Sequence, residues 1–266
     1  MARNASERYH NRVARQYDAI YEDPYWQFHD ELTWRSVKPH LPRDATAHCC
    51  DLGCGTGKWG LKMLKSGYST TFVDHSAAMI ERTRDKTEAG PRAKKATLVV
   101  GDIIAMPQVA SSQFALVLAM GDPLSICNDP AAAVREFARI TAHQGVVIAT
   151  ADNKLAAIDH FIEKGSLDAL ESFIRSGKTN WLTHDAREQF ELTTFTPQSL
   201  KKLFEQYGFE VLDVIGKSIL PVRHNKRLLE SEDAIERLLK LEQILGKDPS
   251  ACACAGHLQI TARRIL

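Results

Sequence analysis

The chain has 266 residues, 44% of them apolar and 25% charged, a composition that suits a globular protein with a sizeable core and excludes a disordered or fibrous chain. Thirty-four Lys and Arg against 33 Asp and Glu leave a formal net charge of +1, with no basic block long enough to follow a phosphate backbone, so a nucleic-acid partner is not favoured. The first residues hold no apolar run of signal-peptide length, and no uncharged stretch nears the ~18 residues of a membrane span, so a cytoplasmic location is expected.

In chain order, Tyr9, Val13, Tyr17 and Tyr21 recur every fourth residue and predict one side of a helix that ends before Asp23-Pro24. Trp26, Phe28, Trp34 and Val37 follow. Residues 1–44 are therefore read as a helical, aromatic cap that packs on a sheet edge or over the mouth of a site. From residue 47 to 150, short apolar runs alternate with longer amphipathic stretches, the pattern of βα units in a parallel sheet.

AHCCDLG, TTFVD, TLVVGD, FALVLAMGD and GVVIAT are the first five strands. Runs such as LVLAM suit strands covered on both faces. Helices are predicted over 57–66, from a Ser76 cap onward, and over 130–141.

The stretch 151–196 is too long for a plain connection and reads as a functional insertion. After it, TPQSLKKLFEQYGF is a helix capped by Thr196, FEVLDVIG a strand, LLESEDAIERLLKLEQILG a helix and GHLQITARRI a last strand. In the second of these helices Leu228, Ile235, Leu238, Leu241 and Leu245 form the expected core stripe.

The six cysteines, Cys49, Cys50, Cys54, Cys127, Cys252 and Cys254, are expected to be free thiols in a reducing compartment. Cys252, Cys254 and His257 form CxCxxH without a second ligand pair at zinc spacing, so no metal is expected.

Chemistry concentrates at Gly53-Cys54-Gly55-Thr56-Gly57, after the first strand. Ligands of parallel sheets bind beyond the strands' carboxyl ends, where glycine lets backbone approach closely. The spacing is G-x-G-x-G, with Lys58 where the dinucleotide fingerprint needs a third glycine. That weakens a nicotinamide-dependent oxidoreductase.

The segment DLGCGTG resembles the first motif of the class I S-adenosylmethionine-dependent methyltransferases. Asp74, Gly101-Asp102 and Met120-Gly121-Asp122-Pro123 follow at family-like spacing, so the resemblance spans roughly Tyr9 to Phe209. It implies an α/β, Rossmann-like, mostly parallel seven-stranded sheet with helices on both faces, with residues 45–266 as one domain behind the cap. S-adenosylmethionine is the expected cofactor and S-adenosylhomocysteine its product. Gly53, Cys54 and Gly55 would lie against its methionine and ribose parts, Asp51 near its ammonium and Asp74 on the ribose hydroxyls. Asp102 would accept from the adenine amino group, with Gly101, His75, Met79 and Ile103 around the ring, and Met120 and Tyr17 beside the cofactor.

The same resemblance points to a small-molecule methyl acceptor. Asp122-Pro123-Leu124-Ser125 lacks the second proline and aromatic residue of the amino-group methyltransferases that end the fourth strand with Asn/Asp-Pro-Pro-aromatic. The segment 178–195 resembles a substrate-covering insertion. Tyr21, Trp26 and Trp181 are the expected acceptor contacts, and His184, Asp122 and His29 the candidate bases. The methylated atom and the oligomeric state stay open, as does the alternative of a protein with this fold that binds the cofactor without methyl transfer, as a cyclase or a binding module.

Overall fold

The computed structural model describes residues 5–180 and 189–266. Seven strands form one sheet: β1 (His48–Leu52), β2 (Ser69–Asp74), β3 (Ala96–Val100), β4 (Phe114–Ala119), β5 (Thr141–Asp152), β8 (Phe209–Lys217) and β9 (His257–Arg264). Their order is β3-β2-β1-β4-β5-β9-β8. The first five pair in parallel, and β9 runs antiparallel to both β5 and β8. The Rossmann-like sheet expected from the sequence is thus the sheet observed. Strand order reverses between β1 and β4, which opens a crevice at their carboxyl ends.

Alternation along the strands assigns the two faces. Cys49, Leu116, Leu118 and Ile148 point one way, against Val37, Trp59 and Met63. Cys50, Val117, Val147 and Ala149 point the other way, against Phe137, Ile140, Leu200 and Phe204. These residues place α3 (Pro24–Val37) and α4 (Lys58–Lys65) on one side, α7 (Pro130–Ile140) and α10 (Pro197–Glu205) on the other. Side-chain caps start several helices where the sequence predicts them: Ser76 accepts from Met79 N ahead of α5 (Ala77–Glu88), and Thr196 with Ser199 forms a capping box on α10.

The N-terminal tyrosines do not share one helix. The chain forms α1 (Ala5–Val13), a turn, and the single-turn α2 (Tyr17–Ile20) before Asp23 caps α3. Val13 and Ala14 pack on Met79 of α5, with Tyr9 and Tyr17 beside them. Polar contacts fasten these pieces down. Asn11 Oδ1 accepts from Ser76 Oγ (2.8 Å), Asp18 pairs with Lys86 (2.7 Å), Asp30 with Lys58 (2.7 Å), and Arg35 reaches both oxygens of Glu236 on α11 (Glu232–Gly246).

The insertion after β5 holds α8 (Ile158–Glu163), α9 (Leu167–Ser176) and a hairpin of β6 (Lys178–Asn180) with β7 (Glu191–Thr193). The stripe predicted on α11 is shifted. Leu239, Glu242 and Gly246 are its buried residues, while Leu241 and Leu228, ahead of the helix, are exposed. The Glu242 carboxylate accepts from Ile219 N and Leu220 N, which explains an acid in a buried row.

Gly60 in α4 gives a test of how tightly helix and sheet meet. A Cβ there would lie 2.2 Å from Phe72 Cε1 and 2.9 Å from Asp51 Oδ2. Helix propensity alone favours alanine by about 1 kcal/mol. The clash reverses the sign, and Gly60→Ala is expected to destabilise the fold by about 1–3 kcal/mol, read as a lower thermal midpoint.

Candidate active site

Six strands of the sheet end, and the antiparallel β9 begins, in a polar residue or a glycine turn at the same edge, and these residues surround one cavity. Gly53, Cys54 and Gly55 follow β1, Asp74 ends β2, Asp102 and Ile103 follow β3, and Met120, Gly121 and Asp122 follow β4. The glycine turn has left-handed backbone at Gly53 (φ +61°) and Gly55 (φ +54°). At Gly53 the need is steric as well, since a Cβ would sit 2.7 Å from Pro123 Cβ. Asp74 Oδ2 accepts from Gly55 N and its Oδ1 from Ser76 N, each at 2.8 Å. One carboxylate therefore joins the first two loops.

The cap closes the front. Tyr9, His10 and Tyr17 face the end defined by Asp74 and His75, and Tyr21, Trp26 and His29 face the end defined by Asp122. The rings touch in sequence: Tyr17 to Tyr21 at 5.1 Å, Tyr21 to Trp26 at 5.0 Å and Trp26 to His29 at 5.6 Å between centroids. Phe190, just before β7, adds a further wall.

The second end is charged. Asp152, His257 and Lys217 are direct neighbours across β5, β9 and β8, so the three side chains leave the same face of the sheet. Asp122 joins them from the end of β4, in a left-handed conformation (φ +62°) held by the N–H groups of Gly121 and Asp122 on Thr150 Oγ1. His257 Nδ1 lies 2.8 Å from Asp122 Oδ2 and 3.8 Å from Asp152 Oδ1. The first contact is an ion pair at hydrogen-bond distance, while the other oxygen, Asp122 Oδ1, and His29 Nε2 are buried without a partner. Lys217, only 2% exposed, donates to Thr33 Oγ1 of α3 at 3.0 Å.

Burial and mutual charge shift these groups. For Asp122, burial pushes upward, but His257 and Lys217 outweigh it and hold the carboxyl at about 2. Burial, then the charge of Asp122, raise Asp152 to about 7. Burial lowers Lys217 to about 8 against the pull of Asp122 and Asp30. His29 is held well below the ordinary imidazole value, first by burial and then by Lys217.

Most residues expected from the sequence meet here: Tyr17, Gly53, Cys54, Gly55, Asp74, His75, Asp102, Ile103 and Met120, together with Tyr21, Trp26, His29 and Asp122, line the cavity. Asp51, Met79 and Gly101 lie outside its wall. Asp51 is fully buried beneath the turn, where Oδ2 accepts from Gly60 N and Oδ1 has no partner. Met79 is core, packed on Val13 and Ala14. Gly101 is a strand-end glycine whose N–H donates to Asp74 O. Trp181 and His184 fall outside the described residues.

Sequence reasoning did not single out Asp152 or Lys217, and met His257 only within a metal spacing. Cys252, Cys254 and His257 part ways in the fold: Cys252 is buried in the core, Cys254 is exposed and His257 lines the cavity.

Residues 49–145 match the family model described as Methyltransferase domain. The chain has the fold of the class I S-adenosylmethionine-dependent methyltransferases. Among solved structures, an S-adenosylmethionine-dependent methyltransferase from Methanosarcina mazei is 18% identical over 87% of this chain and 97% of its own, with a TM-score of 0.62. One from Mesorhizobium loti is 16% identical over 88% and 98%, with a TM-score of 0.58. The methyltransferase fold is also shared with the (4+2)-cyclase SpnF, 18% identical over 86% of this chain and 78% of its own, TM-score 0.56. No curated protein sequence matches the chain. No helix among the described residues is long and apolar enough to cross a membrane.

Asp51 supplies a pH test of this fold. Burial above all, offset by Gly60 N and reinforced by Asp74, raises its carboxyl to about 7. Its unfolded value is about 4, so the folded protein binds the extra proton between the two; the stability this lends is complete below about pH 4 and lost as pH rises through the folded value. Asp51→Asn keeps a neutral acceptor for Gly60 N. It is expected to be more stable than the parent by about 1–3 kcal/mol at pH 8, with the gap narrowing at pH 5, as measured by thermal unfolding at the two values.

Proposed function

We propose that the protein is an S-adenosylmethionine-dependent methyltransferase acting on a small-molecule acceptor. The observation that carries this reading is a single cavity with a glycine-and-carboxylate cradle at one end and an aromatic, charged chamber at the other. The cradle suits the cofactor. Gly55 has room in front of it, since a Cβ there would meet only Tyr17 Cε1 at 3.7 Å, and nothing lies within 4 Å of a Cβ at Gly121. Cationic sulfonium and ammonium groups match a cavity lined by Asp74, Asp102 and Asp122.

When bound, the cofactor supplies a methyl group already activated by the positive charge on sulfur. The chain has then to align the acceptor, exclude water and manage a proton. Asp74 would receive the ribose hydroxyls, with Asp102 and Ile103 at the base. Tyr17 closes the front of the cradle, with Phe190 beside Tyr9 and His10, and Tyr21 and Trp26 form apolar walls for the acceptor. The enclosure supports a small acceptor, because the cap lies across the mouth where a polymer would have to enter. Residues 1–44 on this reading are a lid segment of the catalytic domain, 45–266.

The cyclase among the structural relatives keeps one alternative in view, a protein with this fold that does not transfer methyl. Isotope-labelled cofactor incubated with a metabolite extract separates the two readings. Labelled product supports transfer, and cofactor binding without any labelled product supports the alternative. For the cradle itself, Asp74→Ala is expected to weaken binding of S-adenosylmethionine and of S-adenosylhomocysteine by roughly 10- to 100-fold in calorimetry, the worth of hydrogen bonds to a charged group. Circular dichroism checks that the fold persists.

A further inference from the structure

The charged end of the cavity is more than a cofactor site requires. Asp122, Asp152, His257 and Lys217 occupy the ends of four adjacent strands, β4, β5, β9 and β8, and all four line the chamber beyond the cradle. Bringing one buried and three half-buried ionisable groups together is costly unless they pair. Here they pair in part: His257 Nδ1 lies against Asp122 Oδ2, Lys217 is anchored on Thr33, and Asp122 Oδ1 and His29 Nε2 have no hydrogen-bond partner. A site left with unsatisfied polar atoms in an otherwise apolar aromatic chamber is set up for a ligand with its own polar group.

The charges restrict that group. With the imidazole neutral, the Asp122 carboxylate is matched by the Lys217 cation, burial and the charge of Asp122 raise Asp152 to about 7, and the remaining acid of the chamber, Asp30, is paired with Lys58 at 2.7 Å. No surplus negative charge is left for an ammonium ion. A neutral hydroxyl that becomes an oxygen anion fits instead, beside a cation and within reach of a base. The walls add shape. Tyr21, Trp26 and His29 meet edge to face, an enclosure suited to a flat ring.

Building on the methyltransferase reading, we infer that the acceptor is an aromatic hydroxyl compound, that His257 is the general base taking the hydroxyl proton, and that Lys217 supplies the positive charge beside the resulting oxygen. The proton moves to the imidazole as the oxygen lone pair forms the bond to the methyl carbon. The carbon–sulfur bond breaks with its electron pair onto sulfur, and His257 then releases the proton to solvent. Asp122 and Asp152 are positioning residues: each lies against the ring, and the charge of Asp122 strengthens it as a proton acceptor. Burial works against the charged imidazole, but Asp122 and Asp152 outweigh burial and Lys217 and raise its proton affinity. His29, the other titratable ring facing it, lies 5.9 Å away between centroids.

The first test needs no turnover. Calorimetry with S-adenosylmethionine comes first, and a protein that does not bind it loses the methyltransferase reading and this inference together. With S-adenosylhomocysteine bound, 4-nitrophenol added at a pH where it is mostly protonated in water is expected to show the absorbance of its anion in the wild type and to lose it in His257→Gln. An unchanged protonated spectrum in the wild type overturns the inference while leaving the cofactor site standing.

Labelled S-adenosylmethionine is then offered with phenol, 4-nitrophenol and benzylamine. O-methyl products from the phenols are expected, with turnover of phenol falling at least ~100-fold in His257→Gln, turnover of 4-nitrophenol supplied as its anion falling less than ~10-fold, and added imidazole restoring His257→Ala. The acid limb of the rate profile is expected to move to lower pH in Asp122→Asn, since removing that charge lowers the proton affinity of His257. Methylation of the amine alone, no labelled product from any of the three probes, or an equal loss for both phenols overturns the assignment. So does activity abolished by EDTA and restored by Mg2+, because the ligand atoms of Asp122, Asp152 and His257 lie within 4.8 Å of one another and a cation would then hold their place.

Discussion

Asp74 receives two backbone N–H groups, Gly55 N from the turn after β1 and Ser76 N from the turn after β2, both at 2.8 Å. Charge-assisted bonds of this kind are short and strong, and this pair sets how far apart the two loops stand. Much else in the cavity follows from that spacing. The glycine turn lies open at Gly55, α5 starts on the Ser76 cap, and Thr83 of α5 donates to Gly55 O at 2.9 Å from behind. A turn that on its own would sample many conformations is held in one before any ligand arrives.

The cap depends on this frame in a different way. Its helices touch little of the central sheet except through Val37 and through buried partners such as Ser36 Oγ on Gln259. Apolar packing of Tyr25, Phe28 and Leu32 on Val222, Leu229 and Leu239, and of Val13 and Ala14 on Met79, holds much of the rest, and ion pairs and hydrogen bonds add to it: Asp18 with Thr56 and Lys86, Asp30 with Lys58, Tyr25 Oη with Ser218 Oγ and Arg35 with Glu236. Exposed pairs contribute little each, so their value here is geometric. They bring Tyr17, Tyr21, Trp26 and His29 to the cavity and fix which way each ring faces.

The sequence was most legible where the physics is local. Apolar runs located all seven strands of the sheet, and Ser76, Thr196 and Pro130 marked helix starts that the structure keeps. β5 begins earlier than its apolar run, because Thr141, pairing with Phe114 across a register shift, continues a ladder that hydrophobicity does not show. The tyrosines at four-residue spacing gave the right wall and the wrong helix; the break at 14–16 still lets Tyr9, Tyr17 and Tyr21 reach the cavity.

Glu242 hid the buried face of α11, since its partners are backbone N–H groups more than twenty positions away. The charged row was illegible for the same reason. Asp152, His257 and Lys217 are unremarkable singly and become neighbours only when β9 pairs with β5 and β8.

The two ends of the cap are not equally secured. α3 is fourteen residues long and is anchored through buried Lys217, Arg35 and Tyr25, whereas α1 has nine residues and α2 four. Helices that short do not persist in water unaided, and local opening begins in segments with the fewest buried contacts. The wall over the cradle is therefore the yielding half of the lid, and the wall over the charged chamber the fixed half. Local opening reaches the cradle first, along residues 5–20, and leaves the rings over the charged chamber in place.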